Sequence, residues 1–349
     1  MMTHSIVWAA NLWLKSLMLA ASHDSNDRLY EKPGLHRAAS VLYEWRDELR
    51  SREVPVKIYY PQAHKPSSSP VGDVPAVSSE GFPVIIFSHG LGGSRDGYAY
   101  VGQHWASHGY VSVHVQHLGS DAAVLRDRRR PMETLRAAAA DPQNVINRPL
   151  DIQFVLDRLE KLQKEEGPLK GRLDLTRVGV AGHSFGAYTT MAVAGQVFLT
   201  PTGRRVNMDD WRVKAAIAMS PNPPKRRDHL DEAYANIRIP ILHLTGTKDD
   251  SPINDTKAAD RRIAFDHIKS PDQYFVNFTD ADHMVFAGRK RLRGGAGRDA
   301  RFQELIRAGS TAFWDAYLKG DATAKAWLAD GAFAKTMNGD GQLEVRLKR

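Results

Sequence analysis

Cysteine is absent from all 349 residues. That excludes disulfides, a thiolate nucleophile and Cys-ligated zinc, and it leaves the redox compartment open. Long apolar runs are missing too. The nearest approach, Ile6–Ala10 followed by Leu12–Ala21, is interrupted by Asn11 and Lys15, and nothing else approaches the length of a membrane span. Met1–Ser5 carries no Lys or Arg, unlike the charged start of an export leader, whereas Leu17–Ser22 (LMLAAS) resembles the end of one. Two readings stand for residues 1–22. One is a leader, implying a secreted or periplasmic protein; the other is a helix packed on the domain of a cytoplasmic protein, which is the default.

What is present suits a globular protein. The hydrophobic share is 42% and the charged share 25%, enough apolar residues to bury a core and too many for a disordered chain. The net charge of +8 favours encounter with anionic partners. The basic residues gather only in short runs, Arg126–Arg130, Lys225–Arg227 and Arg289–Arg298, in predicted loops or helix edges. With no basic face interleaved with aromatics, nucleic-acid binding is not expected.

Residues 22–50 are polar and mixed and read as a surface wrap. Glu53–Tyr60 alternates and ends at Pro61, which suits a strand near a sheet edge. Gln62–Gly81, rich in Pro and Ser, reads as a loop. From there strands and helices alternate. Val84–Phe87 (VIIF), Tyr110–Val115, Val178–Ala181, Ala215–Met219, Pro240–Leu244 and Tyr274–Phe278 are short apolar strand candidates, the mark of strands covered on both faces. Helices are expected at Tyr98–Ser107, Arg148–Gln163, Ala187–Phe198, Glu304–Leu318 and Ala322–Phe333. Such alternation means a mainly parallel sheet with helices on both faces. Asp121–Asn147 and Thr200–Trp211 exceed ordinary connections and are expected as insertions near the carboxyl edge of the sheet. The domain reading is an N-terminal extension over 1–50, one catalytic domain over 51–335 and a tail over 336–349.

The strongest chemical signal is Gly182-His183-Ser184-Phe185-Gly186. It follows an apolar strand and precedes a helix of small residues, the context of a nucleophile elbow that lifts a serine hydroxyl clear of the backbone. A serine needs a base within hydrogen-bond reach, and the base needs an orienting acid. Downstream, one strand ends in Gly246-Thr247-Lys248-Asp249-Asp250 and the next in Thr279-Asp280-Ala281-Asp282-His283-Met284. His283 is therefore the candidate base, and Asp249 or Asp250 the acid. Oxyanion donors are expected from the backbone N–H of Phe185 and, in the loop Ser88-His89-Gly90-Leu91-Gly92-Gly93-Ser94, from the N–H of Leu91. That loop lacks the Lys-Ser/Thr of a phosphate-binding P-loop and the spacing of a dinucleotide fingerprint. His117, at a strand end, and Met284, beside the base, are candidate pocket residues, Met284 with core burial as the alternative. His104 and His108, four apart on a helix, have no evident third ligand, so packing is expected there. No metal and no cofactor is expected.

The glycine loop, Trp105-Ala106-Ser107-His108-Gly109-Tyr110 and the elbow together resemble the α/β-hydrolase superfamily. The resemblance is to its platelet-activating-factor acetylhydrolase-like lipases, cutinase-like polyester hydrolases and dienelactone-hydrolase-like esterases, over roughly residues 50–320. It implies ester hydrolysis on a small-molecule or lipid-like substrate, with a thioesterase, amidase or peptidase as alternatives and a non-catalytic binding protein as a further one. The usual esterase spacing from Gly246 favours Asp249, and the cutinase-like spacing picks Asp250. One departure stands out. The plasma acetylhydrolase branch takes its acid after the strand that follows the nucleophile helix, where this chain reads Ser220-Pro221-Asn222-Pro223.

Overall fold

A computed structural model describes residues 30–62, 81–126, 129–200, 202–288 and 296–348. Residues 1–22, most of the Gln62–Gly81 loop and much of the Arg289–Arg298 run lie outside the described residues.

Nine strands form one sheet in the order β1-β2-β4-β3-β5-β8-β9-β10-β11. These are β1 (Ala38–Asp47), β2 (Arg52–Pro61), β3 (Phe82–Ser88), β4 (Val111–Val115), β5 (Leu173–His183), β8 (Val213–Met219), β9 (Ile241–Lys248), β10 (Gln273–Asp282) and β11 (Gly341–Arg346). The six from β4 to β10 run parallel, while β1, β2 and β11 pair antiparallel at the two sides. A separate ribbon of β6 (Phe198–Leu199) and β7 (Arg205–Val206) lies within the second insertion. This is the mainly parallel sheet anticipated from the alternating pattern, and the α/β-hydrolase architecture that the resemblance implies.

Every residue of β3 is buried, and its period-two alternation splits its side chains between two cores. Ile85 and Phe87 join Trp105 of α1 (Ala99–Ser107) and Phe302, Phe313 and Trp314 of the long helix Ala296–Leu318. Val84 and Ile86 join Ile152, Val155, Leu156 and Leu159 of the helix Pro142–Leu162. Two covered faces explain why the central strands read as unbroken apolar runs.

Two sequence expectations need correction at the flanks. Residues 38–47, read as surface wrap, form β1, and the tail supplies β11, so the sheet reaches beyond 51–335 on both sides. Both are edge strands with one solvated face, and β11 alternates half-buried and exposed positions throughout. The expected helix Ala322–Phe333 is two helices, Ala322–Ala329 and Ala332–Met337, broken where Gly331 adopts φ 91.

The first insertion contains α2 (Pro131–Ala140) and the start of α3 (Pro142–Leu162). Asp141 caps α3, its carboxylate accepting from the Gln143 amide at 2.9 Å. The insertion sits at the carboxyl edge of the sheet. Gly92 N–H donates to the Ser120 carbonyl at 2.9 Å, and Leu125 and Leu135 lie beside the α-carbon of Gly92.

Candidate active site

Parallel strands deliver their carboxyl ends to one edge, and each element of the site hangs from such an end. β5 runs into Ser184, whose φ of 57 and ψ of −113 place it in the strained turn between strand and α4 (Phe185–Val193). The turn requires glycine on both sides. A Cβ at Gly182 would overlap the Gly186 carbonyl, and one at Gly186 would overlap the Ser88 carbonyl of β3.

Ser184 Oγ lies 2.9 Å from His283 Nε2, and His283 Nδ1 lies 2.7 Å from Asp249 Oδ1. Asp249 is fully buried and His283 nearly so, while Ser184 stays partly exposed. With Nδ1 facing a carboxylate, the imidazole carries its proton there and turns a lone pair toward the serine. His283 arrives from β10, three strands away from β5. The strand is irregular between Phe278 and Asp282, with Asp280 at φ 63, and this swings the following loop back across the sheet edge. Phe286 then anchors that loop, with its carbonyl accepting from Tyr100 at 3.0 Å and its ring 5.5 Å from that of His183.

Of the two adjacent aspartates, the structure brings Asp249 to the histidine and not Asp250. Asp250 is exposed and turns outward, accepting from Lys257 Nζ and the Ala258 amide at 3.0 Å each. Those contacts, the backbone amide first, hold its carboxyl below the ordinary range. The second oxygen of Asp249 accepts from Ser220 Oγ at 2.6 Å and Thr245 Oγ1 at 2.8 Å. Arg261, fully buried, approaches Asp249 Oδ1 at 3.4 Å and donates to the Ser220 carbonyl at 3.0 Å. Burial draws the Arg261 guanidinium below its usual value. A carboxylate supplied with this many donors is fixed in orientation. Ser220, at the strand end where a carboxylate is missing, thus faces the acid supplied by β9.

Phe185 opens α4, so its N–H has no acceptor within the helix. Leu91 stands in the turn after β3, between Gly90, whose carbonyl accepts from Gly93 N–H at 3.0 Å, and Gly92, tied to Ser120. Tyr98 bridges this loop to the elbow. Its hydroxyl accepts from Gly90 N–H at 3.2 Å and lies 2.8 Å from His183 Nδ1.

The two pocket candidates separate. His117 does not line a pocket. It is completely buried, with Nε2 2.9 Å from Ser88 Oγ and Nδ1 3.0 Å from Asp151 Oδ2. Burial holds its imidazole at about 3, largely by desolvation. Met284 is 41% exposed, at the outer rim beside His283, which removes the core alternative. His104 and His108 point to the carbonyls of Tyr30 and Lys32 at 3.1 and 3.0 Å, in keeping with packing.

Sequence reasoning missed Tyr98, Arg148, Ser220, Thr245 and Arg261. None lies in a motif. Ser220 alone had a signal, as a polar residue at a strand's carboxyl end.

Residues 56–137 match the family described as platelet-activating factor acetylhydrolase, isoform II. The match covers the glycine loop after β3 and stops short of Ser184, Asp249 and His283. Three similar curated proteins carry the name platelet-activating factor acetylhydrolase. That of Cavia porcellus is 25% identical over 296 residues, covering 72% of this chain and 61% of the relative. That of Bos taurus is 26% identical over 255 residues, covering 62% and 53%. That of Canis lupus familiaris is 26% identical over 279 residues, covering 70% and 59%. The chain therefore spans under two thirds of the length of each of these relatives.

Proposed function

We propose that this chain is a serine hydrolase that cleaves carboxylic esters through an acyl-enzyme on Ser184. The observation that carries the reading is the unbroken chain from Ser184 through His283 to buried Asp249, with separations of 2.9 and 2.7 Å. Such a chain activates a hydroxyl that is otherwise a poor nucleophile.

In this reading Ser184 Oγ attacks the ester carbonyl while His283 Nε2 takes its proton. Asp249, held by Ser220 and Thr245, keeps the imidazole in the productive tautomer and stabilises the imidazolium. The N–H groups of Leu91 and Phe185 receive the oxyanion. His283 then protonates the leaving alcohol. In the second half it takes a proton from water, whose oxygen attacks the acyl carbonyl, and returns that proton to Ser184 as the acid leaves. The relatives' name specifies an acetyl group, which makes a short acyl chain the first to try.

The test is hydrolysis of p-nitrophenyl esters from acetate to palmitate, with Ser184→Ala beside the wild type. Activity should fall by at least about 10⁴-fold in the mutant, and a fluorophosphonate probe should label the wild type alone. Full esterase activity in Ser184→Ala would falsify the reading. A folded wild type inactive on every ester but labelled by the probe would redirect the assignment to thioesters or amides.

A further inference from the structure

Behind the glycine loop lies a buried cation that the mechanism above does not use. Arg148, on α3, has no solvent exposure. Its guanidinium spreads over three elements. Nε donates to Thr189 Oγ1 at 3.0 Å, and Nη1 donates to Ser120 Oγ at 2.8 Å. Nη2 donates to Ser88 Oγ at 3.0 Å and also to the His89 carbonyl. The guanidinium carbon sits 4.5 Å from the centre of the Phe185 ring.

We infer that Arg148 is a positioning residue that locks both oxyanion-hole amides, those of Leu91 and Phe185, into one rigid frame. The inference rests on the ester-hydrolase reading of Ser184. On the Leu91 side, Arg148 holds Ser88 and His89 before the turn and Ser120 across from it, and the Ser120 carbonyl holds Gly92 after it. On the Phe185 side it stacks on the ring and grips Thr189, whose hydroxyl donates to the Phe185 carbonyl at 3.1 Å. Tyr98 makes a second bridge from Gly90 to His183, but Arg148 brings a charge to the join.

A second Ser–His–Asp relay stiffens the frame. Ser88 Oγ, His117 and Asp151 repeat the order of the outer relay at 2.9 and 3.0 Å, but all three are buried. With the His117 proton on Nδ1 toward Asp151, Ser88 donates to Nε2 and its oxygen is left to accept from Arg148. The backbone N–H of His117 in turn donates to His89 Nε2 at 3.1 Å, and the opposite nitrogen of His89 donates to the Gly90 carbonyl at 2.7 Å. Arg50 and Arg52 close the relay at 2.8 to 2.9 Å from Asp151. Sealed from solvent, this set has no substrate to act on, and its role is to hold the loop.

The charge balance points the same way. Asp151 is paired with Arg50 and Arg52 and also attracts Arg148 through space, whereas the direct contacts of Arg148 among the described residues are to neutral acceptors alone. A buried cation of that kind is costly to keep. Negative charge developing on the far side of the glycine loop is what would complement it, and an oxyanion supplies that charge during turnover.

The experiment uses the full chain with a p-nitrophenyl ester, active sites being counted by fluorophosphonate labelling. Arg148→Met should lower kcat by about ten- to a hundredfold with KM changed by less than about threefold, since misplaced donors hurt the transition state selectively. The inhibition constant of a trifluoromethyl ketone, which forms an oxyanion on Ser184, should rise by the same factor as kcat/KM falls. Arg148→Lys should restore part of the loss. If Arg148→Met does not fold, Ser120→Ala and Thr189→Val loosen the same frame and should each lower kcat several-fold, with parallel weakening of the ketone. Unchanged kcat and ketone affinity in folded variants overturn the inference, as does a loss confined to KM. An inactive, unlabelled wild type overturns the esterase reading and this one with it; an active wild type beside unaffected variants overturns only the role of Arg148.

Discussion

Asp249 and Asp250 are neighbours in the chain and have opposite fates. One turn past β9 sends Asp249 inward to His283, Ser220 and Thr245, and the next residue outward to Lys257. Asp249→Asn should therefore lower kcat by about 10⁴-fold through loss of the productive tautomer. Asp250→Asn should leave kcat within about twofold, because an exposed ion pair contributes little. Steady-state kinetics on the two folded variants decide it, and comparable losses in both would remove Asp249 from its special role. Their adjacency is also why residue type could not choose between them. His117 teaches the converse. It stands past a strand's carboxyl end like a pocket residue, yet Asp151, 34 residues on, draws it into the interior.

At the scale of elements, the elbow couples β3, β5 and α4 through close backbone contact. Gly186→Ala would drive a Cβ into the Ser88 carbonyl, forcing α4 away from β3 or the strand out of register. We expect the variant to lose several kcal/mol of stability, on the order seen for core overpacking or strained backbone, together with its activity. Denaturant unfolding beside the wild type measures this, and an unchanged midpoint would contradict it. The central strands and the long amphipathic helices were legible because burial on two faces, or on one stripe, writes a periodic signal. β1 and β11 were not. Edge strands keep a solvated face, so polar residues dilute their pattern, and only pairing with β2 and β10 identifies them.

For the whole molecule, the buried histidines set an acid limit. His104, His114 and His117 are held at about 3, His243 at about 4, and His89 well below its ordinary value, in each case first by desolvation. In the unfolded chain these imidazoles take up protons near 6.5. Their contribution to stability is thus complete above that pH and is lost as pH falls toward 3 to 4, because the unfolded state binds the protons first. Each contributes a slope of up to about 1.4 kcal/mol per pH unit. The carboxylates held low, such as Asp151, act in the same direction at still lower pH. Denaturant midpoints should be flat from pH 8 to 7 and fall steeply below 6. A midpoint unchanged at pH 5 would mean that these histidines are not buried as described.

By itself the sequence determined the fold class, the serine at the elbow, the histidine after the last parallel strand and the glycine loop facing them. Each is a local matter: periodicity reports burial, and a sharp turn at a strand end demands particular residues within a few positions. Tertiary structure decided which aspartate meets the histidine, that His117 belongs to a sealed relay and that Arg148 joins the loop to the elbow. These depend on contacts between residues about 30 to 100 positions apart. No local pattern encodes them, because side chains so far apart in sequence meet only through the order of strands in the sheet.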